Sequence, residues 1–231
     1  MIHLQNLSAP AAPGTKTAAL RGLNLRIEPG EQVAIIGASG AGKTSLLMAL
    51  ACAVQPLAGS ISLFGTDPWQ LPSRERQRLR GRLFLAPQVP PLPPRQRVVT
   101  AVLAGQLPSM SLMQSLATLW HPRQAGRAQA ALGELDMADK LWQRVDRLSG
   151  GERQRVGLAR ALVSQAELWL VDEPLSALDP TRSLQVIDTL LATARRDQRT
   201  LVCSLHQVVV ARERFARIVA LRAGECVYDG P

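Results

Sequence analysis

Apolar and polar residues alternate over 2–7 and again over 23–27, the period of half-buried strands that pair antiparallel with one face on a core. Pro29-Gly30 then turns the chain. Val33-Ala34-Ile35-Ile36 is wholly apolar and stops at Gly37, which predicts a strand buried on both faces of a parallel sheet. A helix is expected from about Lys43 through Leu50. Residues 59–64 read as another strand before a Gly65-Thr66-Asp67-Pro68 turn, and Leu83-Phe84-Leu85 as a short one ending at Ala86-Pro87-Gln88.

Beyond the proline-rich stretch 90–94 the pattern changes. Up to about residue 165 helix formers dominate and apolar residues fall at helical spacing, as in Ala130, Leu132, Leu135 and Met137. This predicts a helical lobe over about 89–165, inserted between strands of the sheet. The sheet resumes at 168–171, a helix follows over about 183–194, and a strand over 200–205; residues 218–221, Gly224 and 226–228 read as a closing hairpin. Such alternation argues for an α/β fold: a mostly parallel central sheet with crossover helices, an N-terminal antiparallel β part and the helical insertion. At 231 residues the whole, 1–231, is expected to be one domain with a lobe.

Composition adjusts this picture modestly. Hydrophobic residues make up 46% and charged residues 19%, which suits a packed globular chain. No apolar run approaches the roughly 18–20 residues that cross a bilayer, and Met1 opens a polar, strand-like segment, so a cytoplasmic location is expected. Cys52, Cys203 and Cys226 are scattered and lack C-x-x-C spacing, and are read as reduced, mostly buried thiols. The net charge of +9 raises nucleic acid as a partner, but the densest basic run, 74–82, has no aromatics interleaved for stacking on bases. A solvated basic helix face, or one near anionic headgroups or a membrane partner, is the expected reading.

Lysine occurs only at positions 16, 43 and 140, and one of these sits in Gly37-Ala38-Ser39-Gly40-Ala41-Gly42-Lys43-Thr44. The motif G-x-x-x-x-G-K-[ST] stands between a predicted buried strand and a predicted helix, the setting in which consecutive N–H groups and the helix dipole cradle phosphates. Lys43 is then expected to reach the β- and γ-oxygens of a nucleoside triphosphate and the Thr44 hydroxyl to ligate Mg²⁺. Ser45 follows in the first helical turn. The apolar run 168–171 ends in Asp172-Glu173, which puts two carboxylates at the carboxyl edge of the sheet. Asp172 is expected to hold Mg²⁺ through water and Glu173 to take a proton from the attacking water. Leu148-Ser149-Gly150-Gly151-Glu152 opens a further helix, with Ser149 and Glu152 spaced as a capping box and two glycines baring N–H groups at its start.

That last stretch resembles the signature motif of ABC ATPases, with Glu152 in its final place. Gln88 matches the family's Q-loop glutamine and a second Mg²⁺-proximal ligand position, Ser176-Ala177-Leu178-Asp179 its D-loop, and His206 its switch histidine, in order along nearly the whole chain. The resemblance implies a P-loop NTPase fold and an ATPase using ATP and Mg²⁺. It further implies a homodimer closed by nucleotide, in which Ser149, Gly150, Gly151, Glu152 and Asp179 of one copy face the phosphate loop of the other. The dimer would sit at the cytoplasmic face of the inner membrane, peripheral to a permease and served indirectly by a periplasmic or extracellular substrate-binding protein, with no nucleic acid. The stretches 138–147, 205–208 and 228–231 are similar to those of phosphonate and phosphite importers. An exporter, an importer of another substrate and a soluble ABC ATPase acting on nucleic acid stay open at this stage. One departure is that residues 9–20 contain no aromatic to stack on adenine, which implies weaker affinity or looser base selectivity.

Overall fold

A computed structural model describes residues 1–110, 113, 115 and 124–231. Among the described residues, nine strands form two sheets. β1 (Ile2–Pro10) lies between β2 (Ala18–Ile27) and β4 (Ala58–Leu63) in an antiparallel three-stranded sheet. β3 (Gln32–Ile36), β5 (Leu83–Ala86), β6 (Leu168–Asp172), β7 (Thr200–Leu205), β8 (Arg217–Arg222) and β9 (Glu225–Gly230) build the second, in the order β5-β6-β7-β3-β8-β9. Its first five strands run parallel and β9 returns antiparallel to β8. The apolar run behind β6 explains its place: all five of its residues are buried, as a strand covered on both faces demands.

Helices α1 (Lys43–Leu50), α2 (Ser73–Arg80), α3 (Val98–Leu103), α4 (Ala125–Gly133), α5 (Gly150–Val163), α6 (Pro180–Arg196) and α7 (Val208–Arg214) cover the sheet. Side chains alternate between the faces along β6: Leu168 and Leu170 pack with α1 and the antiparallel sheet, whereas Trp169 and Val171 pack with α3 to α7. The segment between β5 and β6 is helical throughout its described elements and shares its core with that second face. The helical reading of 111, 112, 114 and 116–123 lies outside the described residues. Leu135 and Met137 are buried as their spacing predicts, yet they lie past α4, because Gly133 ends the helix and Asp136 takes a left-handed φ of 52°.

The basic run 74–82 forms α2 and its exit. Its charges are partly engaged rather than simply solvated: the Arg80 guanidinium donates to the Cys52 carbonyl, and Arg82 makes a two-pronged pair with Glu167 at 2.6 and 2.8 Å while lying over the Phe64 ring. Among the described residues no helix is long and apolar enough to cross a membrane.

Burial pushes the Cys52 thiol up to about 11 and the Cys203 thiol well above the ordinary range, while Cys226 is only partly buried and less strongly raised. Because the thiolate is the nucleophile, a small alkylating reagent at pH 8 is expected to label Cys226 alone in the folded chain and all three after denaturation. Intact-mass spectrometry reads this directly, and native labelling of Cys203 would contradict the packing of β7.

Candidate functional site

The phosphate-loop motif leaves β3 at Ile36 and enters α1 at Lys43. Gly42 is the N-cap residue with φ 104°, so the helix starts without a side-chain cap. A Cβ there would sit 2.9 Å from Leu20 Cδ2 and 3.0 Å from the Ala19 carbonyl, which requires glycine on both conformational and steric grounds. The N–H groups of Lys43, Thr44 and Ser45 have no intrahelical acceptors, as in the first turn of any helix. With the dipole behind them they form a place for anionic oxygens. Ala38, Ser39, Gly40 and Thr44 are exposed at the rim, whereas Ala41, Lys43 and Ser45 are buried. The loop is braced from the far end of the chain: Gly224 N–H, in the β8–β9 turn, donates to the Ala41 carbonyl at 3.0 Å, and Arg21 N–H donates to the Gly224 carbonyl at 2.9 Å.

Lys43 and Thr44 of α1, Asp172 and Glu173 at the end of β6, and His206 just past β7 converge beside this loop. Lys43 Nζ, only 4% exposed, donates to the carbonyls of Gly37 at 2.9 Å and Ala38 at 3.3 Å, and lies 3.6 Å from Glu173 Oε1. His206 Nε2, just past β7, contacts the same Oε1 at 2.6 Å. Asp172, the last residue of β6, accepts at Oδ2 from the Thr44 hydroxyl at 2.9 Å and at Oδ1 from the Ser204 hydroxyl at 2.5 Å. The carboxylates therefore divide: Asp172 faces the α1 hydroxyl, and Glu173 faces Lys43 and His206. Glu173 itself takes a left-handed φ of 48°, a conformation that costs a non-glycine residue about 1–2 kcal/mol. Its N–H is held by the Ser204 carbonyl at 3.2 Å and the Ser204 hydroxyl at 3.0 Å.

The donors present suit Mg²⁺, since the exposed Thr44 hydroxyl and the buried Asp172 carboxylate are hard oxygens 2.9 Å apart. Gln88 leaves β5, the strand paired in parallel with β6, so it reaches the same carboxyl edge. It is exposed and lines a cavity of about 520 Å³ with Pro90, Val145, Arg153, Gln154 and Ser176.

The signature stretch opens α5 as its spacing predicts. Ser149 Oγ accepts from Glu152 N–H at 3.3 Å and Glu152 Oε2 accepts from Ser149 N–H at 2.8 Å, a complete capping box. The Ser149 backbone N–H holds the Glu152 carboxyl below its usual range, helped by Lys140 at 3.6 Å. Ser149 and Gly150 are exposed. Asp179 caps α6, accepting from Arg182 N–H at 3.0 Å.

Two residues not singled out in the sequence hold the site together. Ser204 is fully buried and bonds both carboxylate-bearing residues. A hydroxyl inside an otherwise apolar strand must find a partner, and that was the available signal. Gln154, 4% exposed in α5, donates to the Glu173 carbonyl at 2.8 Å, and nothing local in the sequence announces it.

Comparison with known proteins agrees with this geometry. The family model described as ABC transporter matches residues 20–176. A phosphonates import ATP-binding protein of Polaromonas sp. is 59% identical over all of this chain and 84% of its own length, and one of Albidiferax ferrireducens is 61% identical over the same shares. A dimeric post-hydrolysis ATP-binding cassette bound to ADP and Pi superposes with a TM-score of 0.82 at 28% identity, covering 99% of this chain and 97% of that one. The phosphate loop, the divided carboxylates and the capped signature helix thus stand in a chain that belongs to the ABC transporter family, among its ATP-binding proteins.

Proposed function

We propose that the chain is the ATP-hydrolysing subunit of an ABC importer for phosphonates or related phosphorus oxyanions, energising a separate membrane permease. The convergence of Lys43, Thr44, Asp172, Glu173 and His206 at one uncapped helix start carries the ATPase reading. The importer reading is supported by the names of relatives near 60% identity over the whole chain.

In this reading the N–H groups of residues 37–45 and the Lys43 ammonium bind the triphosphate. Thr44 and Asp172, with Gln88, would hold Mg²⁺, which when bound neutralises charge on the phosphate oxygens. Glu173 accepts a proton from water as the water oxygen bonds to the γ-phosphorus, and the bond to the β–γ bridging oxygen breaks to leave ADP and phosphate. His206 orients that carboxylate through Oε1. Two copies pair head to tail, so that Ser149, Gly150, Gly151 and Glu152 of one copy, with Asp179 nearby, close over the nucleotide of the other. Closure is driven by the tighter binding of ATP to the closed pair and is released by hydrolysis. The dimer works at the cytoplasmic face of the membrane, and a binding protein outside delivers the substrate to the permease.

The test is to purify the chain from membranes with its permease, reconstitute it in vesicles, and measure ATP hydrolysis with a binding protein loaded with phosphonate, phosphate or nothing. Phosphonate is expected to stimulate turnover several-fold. An enzyme that brings down no permease and ignores every phosphorus oxyanion would sink the importer reading.

A further inference from the structure

One stripe of α5 faces both loops that flank the site. Gly151, Gln154 and Gly157 are spaced three apart and lie along one side of the helix. A Cβ on Gly151 would come within 2.7 Å of the Ala177 carbonyl, and one on Gly157 within 2.7 Å of Pro90 Cβ. The two glycines thus let the helix backbone close onto the D-loop at one end and the segment after Gln88 at the other. Between them the Gln154 amide is used as a fork. Its Nε2 donates to the Glu173 carbonyl at 2.8 Å and to Ser176 Oγ at 3.3 Å, and its Oε1 accepts from Ala177 N–H at 3.2 Å.

The consequence falls on Glu173. Its backbone is in the left-handed region, and a residue stays there only when its surroundings hold it on both sides. Ser204 holds the N–H side from β7. The carbonyl side is held by Gln154 from the helical lobe. With the carbonyl released, φ and ψ can relax toward the common regions, and the Cα–Cβ bond turns the carboxylate away from Lys43 and His206.

We propose that Gln154 is a positioning residue for hydrolysis: by holding the Glu173 carbonyl and the Ser176-Ala177 backbone together, it makes the aim of the base depend on where the signature helix sits. This rests on the reading of Glu173 as the base. It also gives the lobe a direct hold on the chemistry within one chain, separate from the signature serine's contact across the dimer.

The experiment compares Gln154→Ala and Gln154→Glu with the unaltered full chain, measuring kcat per nucleotide-binding site and KM for ATP. Gln154→Glu keeps the shape and the acceptor for Ala177 but removes the donor to Glu173, so it reports on the contact even if the alanine variant folds poorly. Both Gln154 variants are expected to lose about tenfold or more in kcat, with KM within about twofold. If Gln154→Glu keeps normal kcat per site, or if KM rises as far as kcat falls, the positioning role is overturned. Glu173→Gln in the same assay separates the two ideas. Normal turnover there removes the base itself, whereas an inactive Glu173→Gln beside fully active Gln154 variants removes only the role of Gln154.

Discussion

Glu173→Gln is expected to cut ATP turnover at least a hundredfold while leaving nucleotide binding within a few-fold of normal. General-base catalysis contributes about 10²–10⁴ in rate, and an amide of the same shape cannot take the proton. The substitution spares the rest of the constellation: Gln has an oxygen to keep the 2.6 Å contact with His206, and Asp172 retains both of its hydroxyl donors. Lys43 loses an anionic neighbour at 3.6 Å but keeps the Gly37 and Ala38 carbonyls, so the phosphate grip survives. With hydrolysis blocked, the ATP-bound pair should persist. Light scattering on a size-exclusion column is expected to show a dimer with ATP and Mg²⁺ and a monomer without nucleotide. Turnover at the normal rate would remove Glu173 from its role, and a strictly monomeric ATP-loaded variant would remove the head-to-tail engine.

Trp169→Ala is expected to destabilise the fold by about 3–5 kcal/mol, the cost of emptying a large buried aromatic site. Trp169 is fully buried in β6, three residues before Asp172, in register with Phe84 of β5 and Leu201 of β7. The Arg199 guanidinium lies 4.8 Å from its ring centroid, so the alanine also strips a half-buried cation of its aromatic partner. For a chain of this size the loss corresponds to a melting temperature lower by roughly 6–20 °C. The indole Nε1 has no hydrogen-bond partner, so Trp169→Phe discards an unsatisfied donor along with some volume and should cost much less. Urea unfolding followed by circular dichroism gives both values. An alanine variant within about 1 kcal/mol of the original would mean that this face of the sheet is not the close-packed centre its burial indicates.

Most of the sheet was legible from local pattern. The short apolar runs before Gly37 and before Asp172, each ending at a turn or charge signal, fit strands covered on both faces, and both carry chemistry at their carboxyl ends because that is where open α/β sheets bind ligands. The capping box was legible because its hydrogen bonds join residues three apart. What escaped were devices made by folding. Gln154 meets Glu173 across 19 residues, and Ser204 meets Asp172 across 32. Neither has a spacing that a period could reveal. The left-handed turn at Glu173 was also invisible, since glutamate has no preference for it and only the clamps on its two peptide groups put it there. The helical lobe was blurred for a different reason: buried Leu135 and Met137 continue the apolar rhythm of α4, although the chain has already left the helix.

The brace from Gly224 to Ala41 has a bearing on biosynthesis. About 180 residues separate the nucleotide loop from the turn that steadies it, so a ribosome must thread out β8 and the start of β9 before the loop gains that support. A nascent chain stopped at β7 carries every phosphate-binding residue in its sequence yet lacks one of the contacts that brace their loop. The loop's full bracing therefore arrives late in synthesis, and nucleotide that binds the braced loop more tightly would favour the chains whose hairpin has docked.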